Sequence, residues 1–166
     1  MKKLTTLLCS ATLFASGAVS AEQQANNFEL ILAGAGKSTK SFDENDGGIS
    51  AQLGFFLTKS VELGIRQHAF INTDNGNTTV AAASAAFADY HFNLGNFQPF
   101  IGVGGLFNYG GGVQQNFDIG PEAGIKFFVL PKTFIVAQGS YMRRVDDIGS
   151  GKLSYALFNL GIGFDF

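Results

Sequence analysis

The sequence predicts an all-β fold, an eight-stranded antiparallel up-and-down barrel, and three observations lead to this prediction. Large apolar residues alternate with small or polar ones, which is the period of a strand with two unlike faces. Breaks in this pattern divide the chain into eight stretches of similar length. The chain contains 22 Gly and 18 Phe among 166 residues but only 14% charged residues, a composition that favours close-packed strands over solvated helices.

The eight predicted strands cover residues 27–37, 48–57, 61–71, 80–92, 97–109, 117–129, 133–143 and 153–166. The fourth is the weakest, because Ala81 to Ala86 shows almost no alternation, and a helix is the alternative there. The connections alternate in length, with short ones at 58–60, 93–96 and 130–132 and long ones at 38–47, 72–79, 110–116 and 144–152. This alternation predicts a meander with every long loop at one end.

The first 21 residues have the features of a secretory signal peptide. Lys2 and Lys3 precede a mostly apolar run from Leu4 to Val19, and Ser20 and Ala21 follow it as small residues. The run is shorter than the stretch of roughly 20 apolar residues that crosses a bilayer as a helix. We therefore expect a signal peptide at 1–21 and a single barrel domain at 22–166, a mature chain without cysteine.

The two faces of the strands predict which side meets lipid. An eight-stranded barrel has room inside for side chains and little else, so the large apolar side chains should point outward, where only lipid tolerates them. A soluble barrel such as a lipocalin would show the reverse arrangement. Charged residues of both signs fall on the predicted inner face and should form a network that plugs the interior: Glu62, Arg66, Asp89, Glu122, Lys126 and Asp165.

Three segments carry a resemblance to a known family. "QPFIGVGGLFNYG" and "GPEAGIKFFV" resemble the fifth- and sixth-strand patterns of the small outer-membrane β-barrels of Gram-negative bacteria, the OmpA transmembrane domain and OmpX type. "YALFNLGIGFDF" is similar to the C-terminal signal that the barrel-assembly machinery of that family reads. The residues of this assembly signal would be Phe158, Leu160, Ile162, Phe164 and Phe166.

The resemblance implies an outer-membrane location, with membrane lipid as surroundings and the barrel-assembly machinery and periplasmic chaperones as partners during biogenesis. Because the chain has no Trp, anchoring at the membrane interfaces would fall to Tyr90, Phe92, Phe97, Tyr109, Tyr141 and Phe164. The long first connection places both termini in the periplasm.

The sequence contains only weak matches to the motifs of binding and catalytic sites. "GAGKST" at 34–39 lacks the first glycine of a phosphate-binding loop, since Ile31 stands in its place, and the acidic run at 43–47 lacks the twelfth-position ligand of a calcium loop. Neither His68 nor His91 is followed two residues later by a serine, as a lipid A deacylase would need. The spacing of the histidines and acidic residues along the chain does not indicate a set of metal ligands. We expect no cofactor and no metal, and a net charge of −2 gives no argument for nucleic acid.

These features predict a protein that is not an enzyme and whose role is structural or interactive, as an envelope scaffold or a carrier of adhesive loops. A narrow channel for small or hydrophobic solutes, as barrels of the OmpW kind are thought to form, is the first alternative. A lipid-modifying enzyme is a more remote one. A general porin is disfavoured, because an aqueous channel needs roughly 16 strands.

Overall fold

A computed structural model describes residues 24–39, 45–74, 77–110, 115–145 and 154–166. Its strands are β1 Phe28–Thr39, β2 Asn45–Phe56, β3 Val61–Asp74, β4 Asn77–His91, β5 Phe97–Gly110, β6 Asn116–Leu130, β7 Thr133–Arg144 and β8 Ser154–Asp165. The predicted signal peptide and the acidic residues Asp43 and Glu44 lie outside the described residues. No helix in the described part of the chain is long and apolar enough to cross a membrane.

The strands form one closed barrel in which each strand pairs antiparallel with its neighbours in sequence. The last strand pairs with the first, from Glu29 opposite Asp165 to Thr39 opposite Tyr155, so the barrel has no free edge. The predicted fold class is confirmed. The weakly patterned fourth segment is a strand that pairs on both sides, and the helical alternative for it is wrong.

The two ends of the barrel differ less in connection length than predicted. β3 and β4 pair as far as Asp74 and Asn77, so only residues 75–76 separate them where a loop over 72–79 was expected. Polar residues such as Asn and Thr signal a loop, yet their backbones extend a ladder as well as any others. We call the end with connections 57–60, 92–96 and 131–132 the turn end, and the end with 40–44, 75–76, 111–115 and 145–153 the loop end.

The outer surface is a belt of large apolar side chains. Along β8 the exposed residues alternate with buried ones, and Leu160 is 66% exposed next to the buried Asn159. The same alternation follows β3, where Ile65 is exposed and Arg66 is buried. Such a surface is stable only in contact with lipid.

The interior is bulkier than predicted from the glycine-rich inner face. Six phenylalanines of the described ranges are buried there: Phe56, Phe70, Phe87, Phe100, Phe128 and Phe134. Glycines on adjacent strands make room for three of them, because the rings of Phe87, Phe100 and Phe134 occupy the space where a side chain would begin at their register partners Gly64, Gly124 and Gly163. At these three positions, a glycine on one strand leaves room for an aromatic ring from the neighbouring strand.

Candidate functional site in the barrel interior

Polar side chains fill the interior in three layers, each built by inward-facing positions of several strands. The turn-end layer contains Glu29, Glu62, Asp89, His91 and Lys126, the middle layer Gln52, Arg66, Glu122, Gln138 and Ser140, and the loop-end layer Asn108, Asp118, Arg144 and Tyr155. Because side chains alternate along a strand, residues two apart enter the same interior. Two clusters of aromatic and aliphatic side chains share the interior with these polar groups.

Lys126 is the cation of the turn-end layer. Its Nζ lies 2.5 Å from Glu29 Oε2 and 3.1 Å from Glu62 Oε2, which joins β6 to β1 and β3 across the barrel. The rings of Phe56 and Phe134 each lie 5.2 Å from the same ammonium group. Lysine is almost never fully buried unless it is paired, and the two carboxylates and the ring faces supply that pairing.

The middle layer is organised around Arg66. Its two terminal nitrogens donate to the two oxygens of Glu122 at 3.2 and 3.1 Å, and its Nε donates to Gln52 Oε1 at 2.7 Å. Gln138 donates to Glu122 Oε1 at 2.9 Å, and the guanidinium carbon lies 4.8 Å from the centre of the Phe87 ring. This is the forked geometry in which arginine binds a carboxylate most strongly.

The loop-end layer surrounds Asp118. The Tyr155 hydroxyl donates to Asp118 Oδ2, and Asn108 Nδ2 donates to the same oxygen at 2.6 Å. Arg144 Nε lies 4.0 Å from Asp118 Oδ1. These contacts join β5, β6, β7 and β8 where the barrel opens toward its longer connections.

The six residues of the predicted network all lie inside the barrel: Glu62, Arg66, Asp89, Glu122, Lys126 and Asp165. The structure pairs Arg66 with Glu122 and Lys126 with Glu62. The three layers also contain residues outside the predicted network, such as Glu29, Asp118 and Tyr155. Glu29 could have been found, since it shares its face of the first strand with the small residues Ala33 and Ala35.

Both histidines are buried, so neither faces lipid. His68 stacks on Phe70 with ring centres 5.6 Å apart, whereas His91 belongs to the turn-end layer. Among the described residues, one group has the convergence of a metal site: Glu62, Asp89 and His91, whose ligand atoms lie within 4.8 Å of one another. Spacing along one strand does not reveal it, because Glu62 belongs to a neighbouring strand.

The residues of the predicted assembly signal lie on the outer face of the last strand and its C-terminal end. Phe158, Leu160, Ile162, Phe164 and Phe166 are all exposed. Phe166 also continues the seam between the first and last strands, since its N–H donates to the Phe28 carbonyl at 2.9 Å and its carbonyl accepts from Phe28 at 3.0 Å.

Known structures of the same architecture are similar over nearly the whole barrel. The N-terminal β-barrel domain of Pseudomonas aeruginosa OprF is 22% identical, with a TM-score of 0.60, over 87% of this chain and 100% of that one. This chain has the fold of an outer-membrane β-barrel. Neisserial surface protein A is 15% identical, with a TM-score of 0.63, over 84% of this chain and 96% of that one. The Yersinia pestis attachment invasion locus protein Ail is 13% identical, with a TM-score of 0.58, over 86% and 100% of the two chains.

Neither a protein-family model nor a curated protein sequence matches this chain. At these identities the structural likeness defines the fold alone. The interior contains bonded charges and packed rings, and the outer surface exposes large apolar side chains.

Proposed function

We propose that this protein is an integral outer-membrane barrel that serves as a closed scaffold, with a structural or surface-interaction role carried by its loop-end connections. The observation that carries the proposal is the bonded interior. Arg66 with Glu122, and Lys126 with Glu29 and Glu62, span the barrel at two heights, and rings such as Phe134 pack against Lys126. Breaking such buried pairs is costly, so the resting barrel is closed.

The outer belt supports the membrane location. Apolar side chains are exposed on the outward face of every strand, and barrel closure satisfies the backbone polar groups that lipid cannot. Tyr90, Phe92, Phe97 and Tyr141 are exposed and suited to the polar boundary of a bilayer. The longest connection is 145–153, at the loop end, and it is the element best suited to meet a partner outside the cell.

Recordings in planar lipid bilayers test the closed scaffold. The purified, refolded mature barrel should insert without producing discrete conductance steps, because charged and aromatic groups occupy its interior. Discrete openings of the wild-type protein would contradict the scaffold proposal and favour transport. Heat-dependent migration on SDS gels should verify that the sample is folded. A lack of conductance then cannot be attributed to denatured protein.

One surface observation favours transport of a hydrophobic solute as the second candidate. A groove of about 900 Å³ runs across the outer face, lined by apolar residues such as Ile101, Val103 and Phe158 and containing Pro121. Pro121 lacks an N–H, and the β6–β7 pairing skips from Ile119 to Glu122 at this point. A solute leaving the barrel sideways would pass here. Liposome uptake of a hydrophobic probe, lost on Pro121→Ala, would support this candidate.

A further inference from the structure

Three metal-ligating side chains from two neighbouring strands meet in the turn-end layer. Glu62 on β3 and Asp89 on β4 are direct cross-strand partners, and His91 follows Asp89 by two positions and therefore enters the same interior. One ligand atom from each of the three lies within 4.8 Å of the others. All three residues are buried, so whatever occupies the space between them is shielded from bulk solvent.

The charges around this cluster favour the binding of a cation. Directly opposed carboxylates on paired strands repel each other, and Glu62 faces Asp89 in this way. Arg66 binds Glu122 through both terminal nitrogens, and Lys126 binds Glu29 and Glu62. Among the described residues of the turn-end layer, three buried acids, Glu29, Glu62 and Asp89, accompany one buried cation, Lys126.

The donor atoms themselves are available. Lys126 contacts Glu62 through Oε2, whereas Glu62 Oε1 and Asp89 Oδ1 are buried without a hydrogen-bond partner. His91 Nε2 lies 2.8 Å from Glu62 Oε2, and His91 Nδ1 has no hydrogen-bond partner. Buried polar groups are otherwise almost always satisfied.

The imidazole of His91 is held in place by its neighbours. It lies between the rings of Phe56 and Phe100, with centroid distances of 5.1 Å to each. A ligand that is fixed in orientation before the ion arrives loses little freedom on binding. The aromatic walls also exclude water, which strengthens the attraction between the carboxylates and a cation.

We propose that Glu62, Asp89 and His91 bind one divalent first-row transition metal ion, of which Zn²⁺ is the representative, as a structural clamp between β3 and β4. An imidazole nitrogen with two carboxylate oxygens is a ligand set for Zn²⁺ and its neighbours in the series, whereas Ca²⁺ and Mg²⁺ favour oxygen alone. The ion adds positive charge between the opposed carboxylates, of which Glu62 also contacts Lys126. This site goes beyond the scaffold role and does not depend on it.

The test measures metal retained by the folded barrel. Wild-type protein refolded in detergent with Zn²⁺ and passed through a desalting column should hold one equivalent by elemental analysis. Refolding with Co²⁺ in its place should give a visible absorption spectrum that reports the coordination. The variants His91→Gln and Asp89→Asn should each bind at least about ten-fold more weakly, since loss of a partner that only orients a metal ligand already costs about that much.

His68→Gln is the matched control. His68 is equally buried on the inner face of β3, but it lies six positions from Glu62, or roughly 20 Å along the strand. The control should retain metal like the wild type, and heat-dependent migration should verify that each variant is folded. Absence of bound metal in the folded wild type would overturn the proposal, whether or not any variant folds. Equal retention by folded His91→Gln and His68→Gln would also overturn it.

Discussion

Among single residues, Arg66 has the most direct bearing on stability. Its guanidinium group donates hydrogen bonds to both carboxylate oxygens of Glu122 and to Gln52, and Arg66 is 3% exposed. The change Arg66→Ala leaves the Glu122 carboxylate buried without its cation, and removing one partner of such a pair costs about 3 to 5 kcal/mol. We expect a markedly lower urea midpoint for unfolding in detergent micelles.

Lys132→Ala is the control for this change, because Lys132 is an exposed cation in the connection between β6 and β7. Its urea midpoint should stay close to that of the wild type. Adding Glu122→Gln to Arg66→Ala should restore part of the loss, since no uncompensated charge then remains. Equal midpoints for Arg66→Ala and Lys132→Ala would contradict a stabilising role for the buried pair.

Gly163 gives a second prediction at this scale, because the ring of Phe134 occupies the position where a Cβ would stand. The change Gly163→Ala forces that fully buried ring to move, and overpacking of this kind costs about 1 to 3 kcal/mol. The urea midpoint should fall. Gly36→Ala is the matched control, since an added Cβ at Gly36 meets nothing within 4 Å, and an equal effect of the two would contradict the ring-over-glycine packing.

The sequence was sufficient to place the charged residues inside, because a period of two assigns each to a face. It was not sufficient to pair them. Arg66 and Glu122 are 56 positions apart and lie on β3 and β6, which are not neighbours in the sheet. They meet because the barrel curves the inner faces of distant strands toward one axis. Partner choice therefore depends on closure and shear, which no local pattern contains.

Among the elements, β4 shows where local pattern fails. Ala81 to Ala86 has small side chains on both faces, so neither face could be assigned from the sequence. The structure buries Ala83 and Ala85 and pairs the segment with β3 and β5 along its length. Its neighbours decide its conformation, as is usual for strands with weak intrinsic preference. The alanines leave space inside that Leu106 and Met142 fill.

The final strand gives a prediction about assembly. If Phe166 is read as a targeting residue, Phe166→Ser should reduce accumulation in the outer membrane far more than Phe158→Ser. Both rings are similarly exposed on the same face, at 58% and 53%, so the loss of lipid contact is matched. The backbone bonds of Phe166 to Phe28 persist in the serine variant. Quantitative immunoblotting of membrane fractions measures the difference.

Equal accumulation of the two variants would make the terminal phenylalanine ordinary lipid-facing surface. Refolding of both purified variants in detergent separates assembly in the cell from stability. Both should refold equally well, since neither side chain lies in the interior. A refolding defect confined to Phe166→Ser would instead assign its effect to the seam between β1 and β8, where its ring stacks on Phe28 at 6.2 Å.

For the whole molecule, alternation and closure together made the architecture predictable. Eight strands that each have one apolar face can bury their polar faces by forming a closed barrel. Closure also gives the backbone groups of the first and last strands hydrogen-bond partners. The ends of the strands were less predictable, because the pairing of β3 and β4 continues to Asp74 and Asn77 through residues that signal a loop. Loop length was the basis for the predicted orientation, and only the connection 145–153 is clearly long.

Orientation in the membrane therefore needs a direct measurement, and the chain allows a clean one. Its one cysteine, Cys9, lies in the predicted signal peptide, so the mature protein offers no competing thiol. Gln115→Cys at the loop end should react on intact cells with a maleimide polyethylene glycol too large to cross the outer membrane. Lys132→Cys at the turn end should react only after the membrane is permeabilised. Both positions are exposed in connections between strands, so access to the reagent is matched. The reverse pattern would place the loop end, and its longest connection, in the periplasm.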